Sequence, residues 1–189
     1  MCQTSVPMPL SIESQLIDDD CYLIGTSSEH LWYPVYCKPN KEKKLAEMAG
    51  KKNISWYLPT FLHHRITRGH RIETQIPMFP GYFFLQLNRQ QNWQVKTSGL
   101  AIRILTVTDK TEPTLVNDLN LIRKFELLSR TQPVKVRADL VPGKRFTIAH
   151  GQFKGTEGVI VKRKNRTEFI VHLDFLNFAL ATVPAMDIL

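Results

Sequence analysis

A chain of 189 residues, 43% of them hydrophobic, has the length and apolar content of one or two globular domains. Its formal net charge of +8 favours polyanionic partners and predicts an affinity for nucleic acid that falls with salt. No apolar run approaches the roughly 18 residues that a membrane-spanning helix needs, so no membrane segment is expected.

Charge is distributed unevenly along the chain. Residues 1–30 hold five acidic side chains and no Lys or Arg, whereas residues 31–129 hold 15 basic and 7 acidic side chains, and residues 130–189 hold 10 and 5. The acidic start lacks both the cationic and the apolar region of a secretory signal. We therefore expect residues 1–30 to be a flexible leader and the protein to be cytoplasmic.

Residues 31–129 predict a domain of mixed α and β structure. Pattern and turn residues predict strands at 32–38, 54–59, 82–87 and 101–107, and a hairpin over 61–76 with its tip at 67–70. Helices are predicted from Asn40, as a cap, to about residue 50, around 93–98, and from residue 117 onward. Strand alternation places Tyr82 and Phe84 on one face and Phe83 and Leu85 on the other, so one pair should be core and the other available.

Residues 130–139 are polar, basic and contain proline, which predicts a flexible connector. Four short apolar segments follow, at 144–149, 158–164, 168–173 and 178–183, and they are separated by glycine or charged turns. They predict a small all-β barrel over residues 140–189. The expected fold class is therefore α+β, with a second, all-β domain.

No catalytic or metal-binding pattern is present in the sequence. The three cysteines form no CxxC pair, and the adjacent His63 and His64 point to opposite faces of a strand. Phosphate-binding loops, serine nucleophile motifs and paired carboxylates are also missing from the sequence. We expect no metal, no cofactor and no enzymatic activity.

Two groups of motifs carry a resemblance to a known family. The first group comprises Trp32-Tyr33, Lys38, residues 42–44, Tyr57-x-Pro59 and, above all, the Pro-Met-Phe-Pro-Gly-Tyr segment at 77–82. The second group comprises Pro142-Gly143 and the Gly-Gln-Phe-Lys-Gly-x-x-Gly-Val segment at 151–159, in which the motif glycines and aromatic are Gly151, Phe153, Gly155 and Gly158. Across a linker, these groups resemble the N-terminal domain and the KOW domain of the NusG family. The resemblance implies an α+β first domain and a Src-homology-3-like barrel.

In that family the first domain docks through an aromatic pocket on the helical tip of the RNA polymerase clamp, in the largest subunit. The resemblance implies that the pocket here is lined by Tyr36, Phe79, Pro80, Tyr82 and Phe84. Aromatic side chains offer a large contact area at low entropic cost and are enriched in binding hot spots.

Contacts with nucleic acid and with a polymerase loop are implied by the same resemblance. The candidates for phosphate contact, in particular with the non-template DNA strand, are Lys38, Lys41, Lys44, Arg65, Arg68 and Arg71. Specialised members carry a His-Thr-Thr cluster for the polymerase loop, and this chain carries Gln90, Gln91 and Asn92 at that place.

A further departure from the family concerns its barrel. General elongation factors carry Ile-Phe-Gly in the late loop, facing the termination factor Rho or a ribosomal protein, whereas this chain has Leu176-Asn177-Phe178. The barrel's partner therefore stays open between these possibilities. The loop and the acidic leader together indicate a specialised, RfaH-like member or an antiterminator of a polysaccharide operon.

The sequence therefore predicts a monomeric transcription elongation factor that suppresses pausing and termination and recruits a second partner through its KOW domain. An alternative is a KOW-containing RNA- or ribosome-binding module that does not act on polymerase. Such a module should interleave basic residues with exposed aromatics, whereas the aromatics at 79–84 have no charged residue among them.

Overall fold

A computed structural model describes residues 23–67, 70–130, 134–137, 145–147, 154–163, 166–176 and 178–182. Its helices and strands are β1 (Leu31–Cys37), α1 (Glu42–Lys51), β2 (Trp56–Tyr57), β3 (Thr60–Thr67), β4 (His70–Pro77), β5 (Tyr82–Leu87), α2 (Arg89–Thr97), β6 (Ala101–Ile104), α3 (Glu112–Leu128), β7 (Val134–Arg137), β8 (Arg145–Thr147), β9 (Glu157–Arg163), β10 (Arg166–Leu173) and β11 (Phe178–Thr182). The α+β class predicted from the sequence is thus present.

The chain divides into two compact units, each made of two segments. The first unit contains Met1–Leu58 and Pro80–Val116, and the second contains Pro59–Phe79 and Asn117–Leu189. The long helix α3 starts in the first unit and continues in the second.

The first unit is built on a four-stranded antiparallel sheet in the order β2-β5-β1-β6. Val35 of β1 lies opposite Phe83 of β5, and both side chains are fully buried. Leu45 and Ala49 of α1 complete the same core together with Leu85 of β5. Burial of one such large apolar side chain contributes about 1.5–3 kcal/mol, so this face fixes the register of the central strands.

Helix α1 begins one residue later than the sequence predicts. Asn40 was expected to cap it, but Asn40 has a φ of 58° and Lys41 occupies the cap position, without a side-chain cap hydrogen bond. Asparagine adopts this left-handed backbone conformation more readily than most residues, so Asn40 is a favourable residue in the turn after β1. The cap prediction is therefore wrong.

Helix α2 is longer than predicted because it begins at Arg89, before the expected start near Trp93. Asn88 caps it: its Oδ1 accepts the Gln91 N–H at 2.9 Å, and the Gln91 Oε1 accepts the Asn88 N–H at 3.0 Å. This reciprocal pair is a capping box, which satisfies two backbone donors at the helix start.

Helix α3 also starts early, at Glu112 instead of residue 117, with Pro113 in its first turn. Proline is favoured there because the first N–H groups of a helix have no partner within it. The Glu112 side chain is buried and its Oε1 accepts the backbone N–H of Trp32 at 3.0 Å, which ties the helix start to β1. Trp32 in turn donates its indole N–H to the Gly25 carbonyl oxygen at 3.0 Å, and Ile24 is buried, so residues 24 and 25 of the predicted leader are docked.

In the second unit, β3 and β4 form a two-stranded antiparallel hairpin that is closed by the Thr67–His70 pair. The predicted tip residues Arg68 and Gly69 lie outside the described residues. At the open end, Thr60 donates both its backbone N–H and its hydroxyl to the Glu126 Oε1, each at 2.9 Å. The hairpin base is therefore hydrogen-bonded to α3.

The other sheet of the second unit is five-stranded and antiparallel, in the order β7-β11-β10-β9-β8. Ile170 and Val171 are consecutive on β10, and Ala179 and Leu180 are consecutive on β11, yet all four are buried. Because consecutive strand residues point to opposite faces, both faces of these two strands are covered at this point.

Residues 134–137 correct part of the predicted flexible connector, 130–139, because they form a regular strand. They form β7, whose four residues all pair with β11 at the edge of the five-stranded sheet. Val134 and Val136 are half-buried while Lys135 is exposed, which is the period of two that a strand requires. The domain boundary itself stays a prediction.

Candidate functional site

An aromatic pair lies at the end of the central strands of the first unit. Tyr36 of β1 is directly opposite Tyr82 of β5, and their ring centroids are 5.3 Å apart at an interplanar angle of 59°. Tyr36 is 41% exposed and Tyr82 is half-buried. Paired rings of this kind present a large, rigid apolar surface with two hydroxyl groups, which suits protein recognition.

Gly81 supports this pair from the turn before β5. Its φ is +82°, and a Cβ atom added to it would lie 2.7 Å from the Cε2 of Tyr36. The Gly81 carbonyl oxygen accepts the backbone N–H of Cys37 at 2.7 Å, which holds the turn against β1. Only glycine permits both this backbone conformation and this close approach, so Gly81 sets the position of the Tyr36 ring. Pro80, before it, is exposed.

Phe84 is on the same strand face as Tyr82, as the alternation predicts, because Phe83 and Leu85 belong to the core on the other face. Phe84 is nevertheless fully buried, and its ring lies 6.2 Å from the ring of Tyr57. The expectation that this whole face is available is therefore wrong at Phe84. Strand alternation predicts which face a side chain takes, but it cannot predict whether another element covers that face.

Phe79 belongs to the second unit and is only 3% exposed. Its ring contacts that of Phe178 at the start of β11, with centroids 5.4 Å apart and an interplanar angle of 50°. Phe178 belongs to the Leu176-Asn177-Phe178 segment that was predicted as a late loop, and the structure places it at the start of strand β11. The structure thus pairs a predicted polymerase-binding residue with a residue of the five-stranded sheet.

Asp118 of α3 makes a second contact to the same region. Its Oδ1 accepts the N–H of Asp174 at 3.1 Å, and its Oδ2 accepts the N–H groups of Phe175 and Leu176 at 2.9 Å and 3.2 Å. Asp118 is 1% exposed. Burial, with a smaller contribution from the nearby Asp174, raises the pKa of Asp118 to about 6, although the three amide hydrogen bonds act in the opposite direction. One carboxylate therefore binds the backbone of residues 174–176, which directly follow β10 and lie two to four positions before Phe178.

The candidate phosphate-binding residues fall at several places. Lys38 and Lys44 are exposed, and Lys41 is half-buried at the cap position of α1. Arg65 is opposite Ile72 in the hairpin register, Arg71 is opposite Ile66, and Arg68 lies outside the described residues. Their roles stay predictions.

The three polar residues expected near a polymerase loop form the first turn of α2. Gln90 is exposed, Asn92 is half-buried, and Gln91 is used in the capping box with Asn88. Their role at a polymerase loop stays a prediction.

Trp93, the next residue of α2, was not identified from the sequence pattern. It is 66% exposed, which is the highest value for a large hydrophobic side chain in the part of the chain that the structure describes. A tryptophan in an amphipathic segment is normally a core residue, so only the structure identifies it as surface.

Of the second motif, Gly151 and Phe153 lie outside the described residues. Gly155 has a φ of +80° in a turn, and Gly158 is buried in β9 opposite Phe146. A positive φ explains the need for glycine at residue 155.

Reactive and metal-binding groups do not add to the site within the described ranges. No group of three or more His, Cys, Asp or Glu side chains able to hold a metal ion occurs among residues with a described position. Cys37 is buried, and burial raises the pKa of its thiol to about 11, so it stays protonated at neutral pH. None of the described helices has the length and apolar character needed to cross a bilayer.

A family model described as "NusG: Transcription termination factor nusG" matches residues 30–126, just over half of the chain. The matched segment contains the Tyr36–Tyr82 pair, Gly81, all of α1 and α2, and most of α3.

Proposed function

Since this chain belongs to the NusG family of transcription elongation and termination factors, we propose that it binds the clamp of RNA polymerase and suppresses pausing and termination. In this proposal residues 31–129 supply the polymerase contact, and a KOW barrel over residues 140–189 recruits a second partner. The factor acts through binding energy alone, and no bond is made or broken.

The observation that carries the proposal is the Tyr36–Tyr82 pair, in which Tyr36 is exposed and Tyr82 half-buried, supported by Gly81. The backbone of two adjacent strands fixes both rings, so little conformational entropy is lost when a partner covers them. Rigid aromatic anchors of this kind commonly supply a large share of the binding free energy at protein interfaces. The pair therefore suits a helical tip on a large protein partner better than a small ligand.

Suppression of pausing follows from where such a factor binds. A protein that holds the clamp closed stabilises the elongating conformation by its difference in affinity for the two clamp states. Each tenfold preference for the closed state corresponds to about 1.4 kcal/mol. The exposed Lys38 and Lys44 support an accompanying contact with the non-template strand, since phosphate contacts strengthen binding without reading sequence.

The proposal is tested with a pair of double variants. Tyr36→Ala with Tyr82→Ala removes both rings, whereas Tyr36→Phe with Tyr82→Phe keeps them and removes only the hydroxyl groups. We expect the Ala pair to bind core polymerase roughly 30-fold or more weakly, because two hot-spot rings are removed, and the Phe pair to bind within a few fold of the wild type. Leu127→Ala, at an exposed apolar residue of α3, is the control for a reduction of surface area alone.

Pause lifetime should be measured on the same assembled elongation complexes. Shortened pauses with the wild type and the Phe pair, but not with the Ala pair, would support the proposal. Full affinity in a folded Ala pair would refute the assigned contact. Binding of the wild type to structured RNA, with no binding to core polymerase or to an elongation complex, would favour the RNA- or ribosome-binding module instead.

A further inference from the structure

Three residues on adjacent strands of the first unit lie in one row, and only the two tyrosines among them were predicted from the sequence. Tyr36 of β1 is directly opposite Tyr82 of β5 on one side and directly opposite Arg103 of β6 on the other. Residues directly opposite each other in an antiparallel pair share a face, so Arg103 belongs to the face that carries the tyrosine pair. Because neighbouring strands are about 4.8 Å apart, the backbone of Arg103 is about 5 Å from that of Tyr36.

A β-bulge in β6 brings Arg103 into this row. Ala101 is opposite Cys37 and Arg103 is opposite Tyr36, so Ile102 is an extra residue on β6. Counted from Ala101 without the bulge, the residue opposite Tyr36 would be Ile102, which is instead 56% exposed. Bulges commonly re-aim a side chain beside a functional site, and this bulge puts an arginine where an isoleucine would otherwise stand.

The position of Arg103 leaves its charge accessible to a partner. Its side chain is exposed, and Tyr36 beside it is 41% exposed. Strand β6 is the last strand in the order β2-β5-β1-β6, so Arg103 is at the edge of the sheet. A partner that covers the tyrosine rings also removes water from the neighbouring guanidinium group. A buried charge is costly unless it is paired, so this partner must supply an acceptor for Arg103.

We propose that Arg103 is a specificity-determining residue of the polymerase contact: its guanidinium group binds an Asp or Glu carboxylate on the helical tip of the clamp, while Tyr36 and Tyr82 pack against the adjoining apolar surface. This inference rests on the function proposed above and adds a charge requirement on the partner. A surface of similar shape without the carboxylate is rejected, because it would leave the guanidinium group buried and unpaired.

The neighbours of Arg103 favour a carboxylate of a protein over a phosphate of nucleic acid. The two tyrosine rings are tilted by 59° and do not form a flat platform for successive stacked bases. A helix, in contrast, presents residues three or four positions apart at about 5–6 Å, which matches the spacing of Tyr36 and Arg103. One apolar and one acidic residue on a helix can therefore meet the tyrosine and the arginine together. Arginine suits this role because it binds carboxylates in a bidentate manner.

The first test is the affinity of the full chain for core RNA polymerase in the absence of nucleic acid. Arg103→Gln removes the charge, whereas Arg103→Lys keeps the charge and loses the planar fork of donors. We expect Arg103→Gln to bind roughly 10-fold or more weakly, and Arg103→Lys to lie between it and the wild type. Arg130→Gln, at an exposed arginine after α3, makes the same change of net charge and should bind like the wild type. Because Arg103 is exposed, its variants should fold, which far-UV circular dichroism checks.

Binding rates separate a direct contact from long-range electrostatic steering. Loss of a desolvated charge pair raises the dissociation rate, whereas loss of a peripheral charge lowers the association rate and matters less at high salt. We expect the effect of Arg103→Gln to be mainly on the dissociation rate. It should persist at about 0.5 M salt, where interactions between exposed charges are largely screened.

Charge reversal identifies the partner residue. Each Asp and Glu of the clamp's helical tip is replaced by Lys in turn, and every resulting polymerase is measured with the wild type and with Arg103→Glu. We expect one replacement to weaken the binding of the wild type and to strengthen the binding of Arg103→Glu. Such a rescue is a coupling between two sites, which a double-mutant cycle measures.

Full affinity of Arg103→Gln, an effect on the association rate alone, or the lack of any rescuing position would overturn the proposal. Weaker binding to an elongation complex with unchanged binding to core polymerase would also overturn it, in favour of a phosphate contact. The inference fails alone if Arg103→Gln binds normally while the Tyr36→Ala, Tyr82→Ala pair binds weakly. If the wild type does not bind core polymerase, the proposed function fails and the inference fails with it.

Discussion

Replacing Asp118 with asparagine should change how the stability of the protein depends on pH. Burial raises the pKa of this carboxyl group from 3.8 to about 6 in the folded protein. The folded chain therefore takes up a proton between about pH 6 and pH 4, a range in which the unfolded chain is still ionised at this position. By linkage, the contribution of Asp118 to the free energy of unfolding is largest below pH 4 and is lost as the pH rises through 6.

The magnitude follows from the size of the pKa shift. Each pKa unit corresponds to about 1.36 kcal/mol, so the shift of Asp118 corresponds to a change of about 3 kcal/mol between pH 7 and pH 4. Asparagine is neutral throughout and cannot contribute this change. It also keeps only one acceptor oxygen for the three amides of Asp174, Phe175 and Leu176, so the variant should lose hydrogen bonds at every pH.

The measurement is urea unfolding at intervals from pH 4.5 to 7.5, for the wild type and for Asp118→Asn. Other groups titrate in both proteins, so the informative quantity is the difference between the two curves of unfolding free energy. We expect this difference to grow in favour of the wild type as the pH falls. The pKa itself can be followed by the 13C chemical shift of the Asp118 carboxyl carbon. Parallel curves, or a carboxyl group that titrates near pH 4, would refute the reasoning.

Three further substitutions test local geometry. Gly81→Ala should lower the unfolding free energy by about 1–3 kcal/mol and alter the near-ultraviolet circular dichroism of the tyrosines, because φ is +82° and the added methyl group meets Tyr36. Asn88→Ala should cost about 0.5–2 kcal/mol in thermal unfolding because the cap is removed, and a cost near zero would show that the capping box is unimportant. Phe178→Ala should lower the unfolding free energy by about 0.5–1.5 kcal/mol because the ring pairing with Phe79 is lost, in addition to the effect of its smaller buried area. A tryptophan placed at residue 79 should be more exposed in that variant, which fluorescence quenching would measure.

Features that depend on short-range patterns could be predicted from the sequence. The alternation of residues 82–87 indicated a strand with Phe83 and Leu85 on one face, and the hairpin predicted over 61–76 is paired as far as Thr67 and His70. On α3, Leu119, Ile122, Phe125 and Leu128 are all buried, which agrees with their prediction as inward-facing residues. In each case the signal is contained within a window of about ten to twenty residues, where backbone period and turn chemistry decide the structure.

The features that could not be predicted depend on partners distant in sequence. Asp118 receives its three amide hydrogen bonds from residues 56 to 58 positions away, and Glu112 meets Trp32 across 80 positions. From the sequence alone, an acidic residue on a helix is interpreted as a surface residue, because the backbone amides that would bind it in the interior are distant along the chain. Trp93 shows the opposite case. Its residue type favours burial, but its side chain is exposed in the structure.

The burial of Phe79 and Phe84 limits which of the predicted residues can meet a partner in this conformation. Phe84 is fully buried, and Phe79 is 3% exposed with its ring against Phe178, whereas Tyr36 is 41% exposed. A contact made through the surface as it stands would rely on Tyr36 and Tyr82. A contact that includes Phe79 would require its pairing with Phe178 to open first, and the affinity would fall by the free energy of that opening. Phe178→Ala therefore separates the two cases: tighter polymerase binding in the variant would show that Phe79 takes part, and unchanged affinity would show that the tyrosine pair suffices.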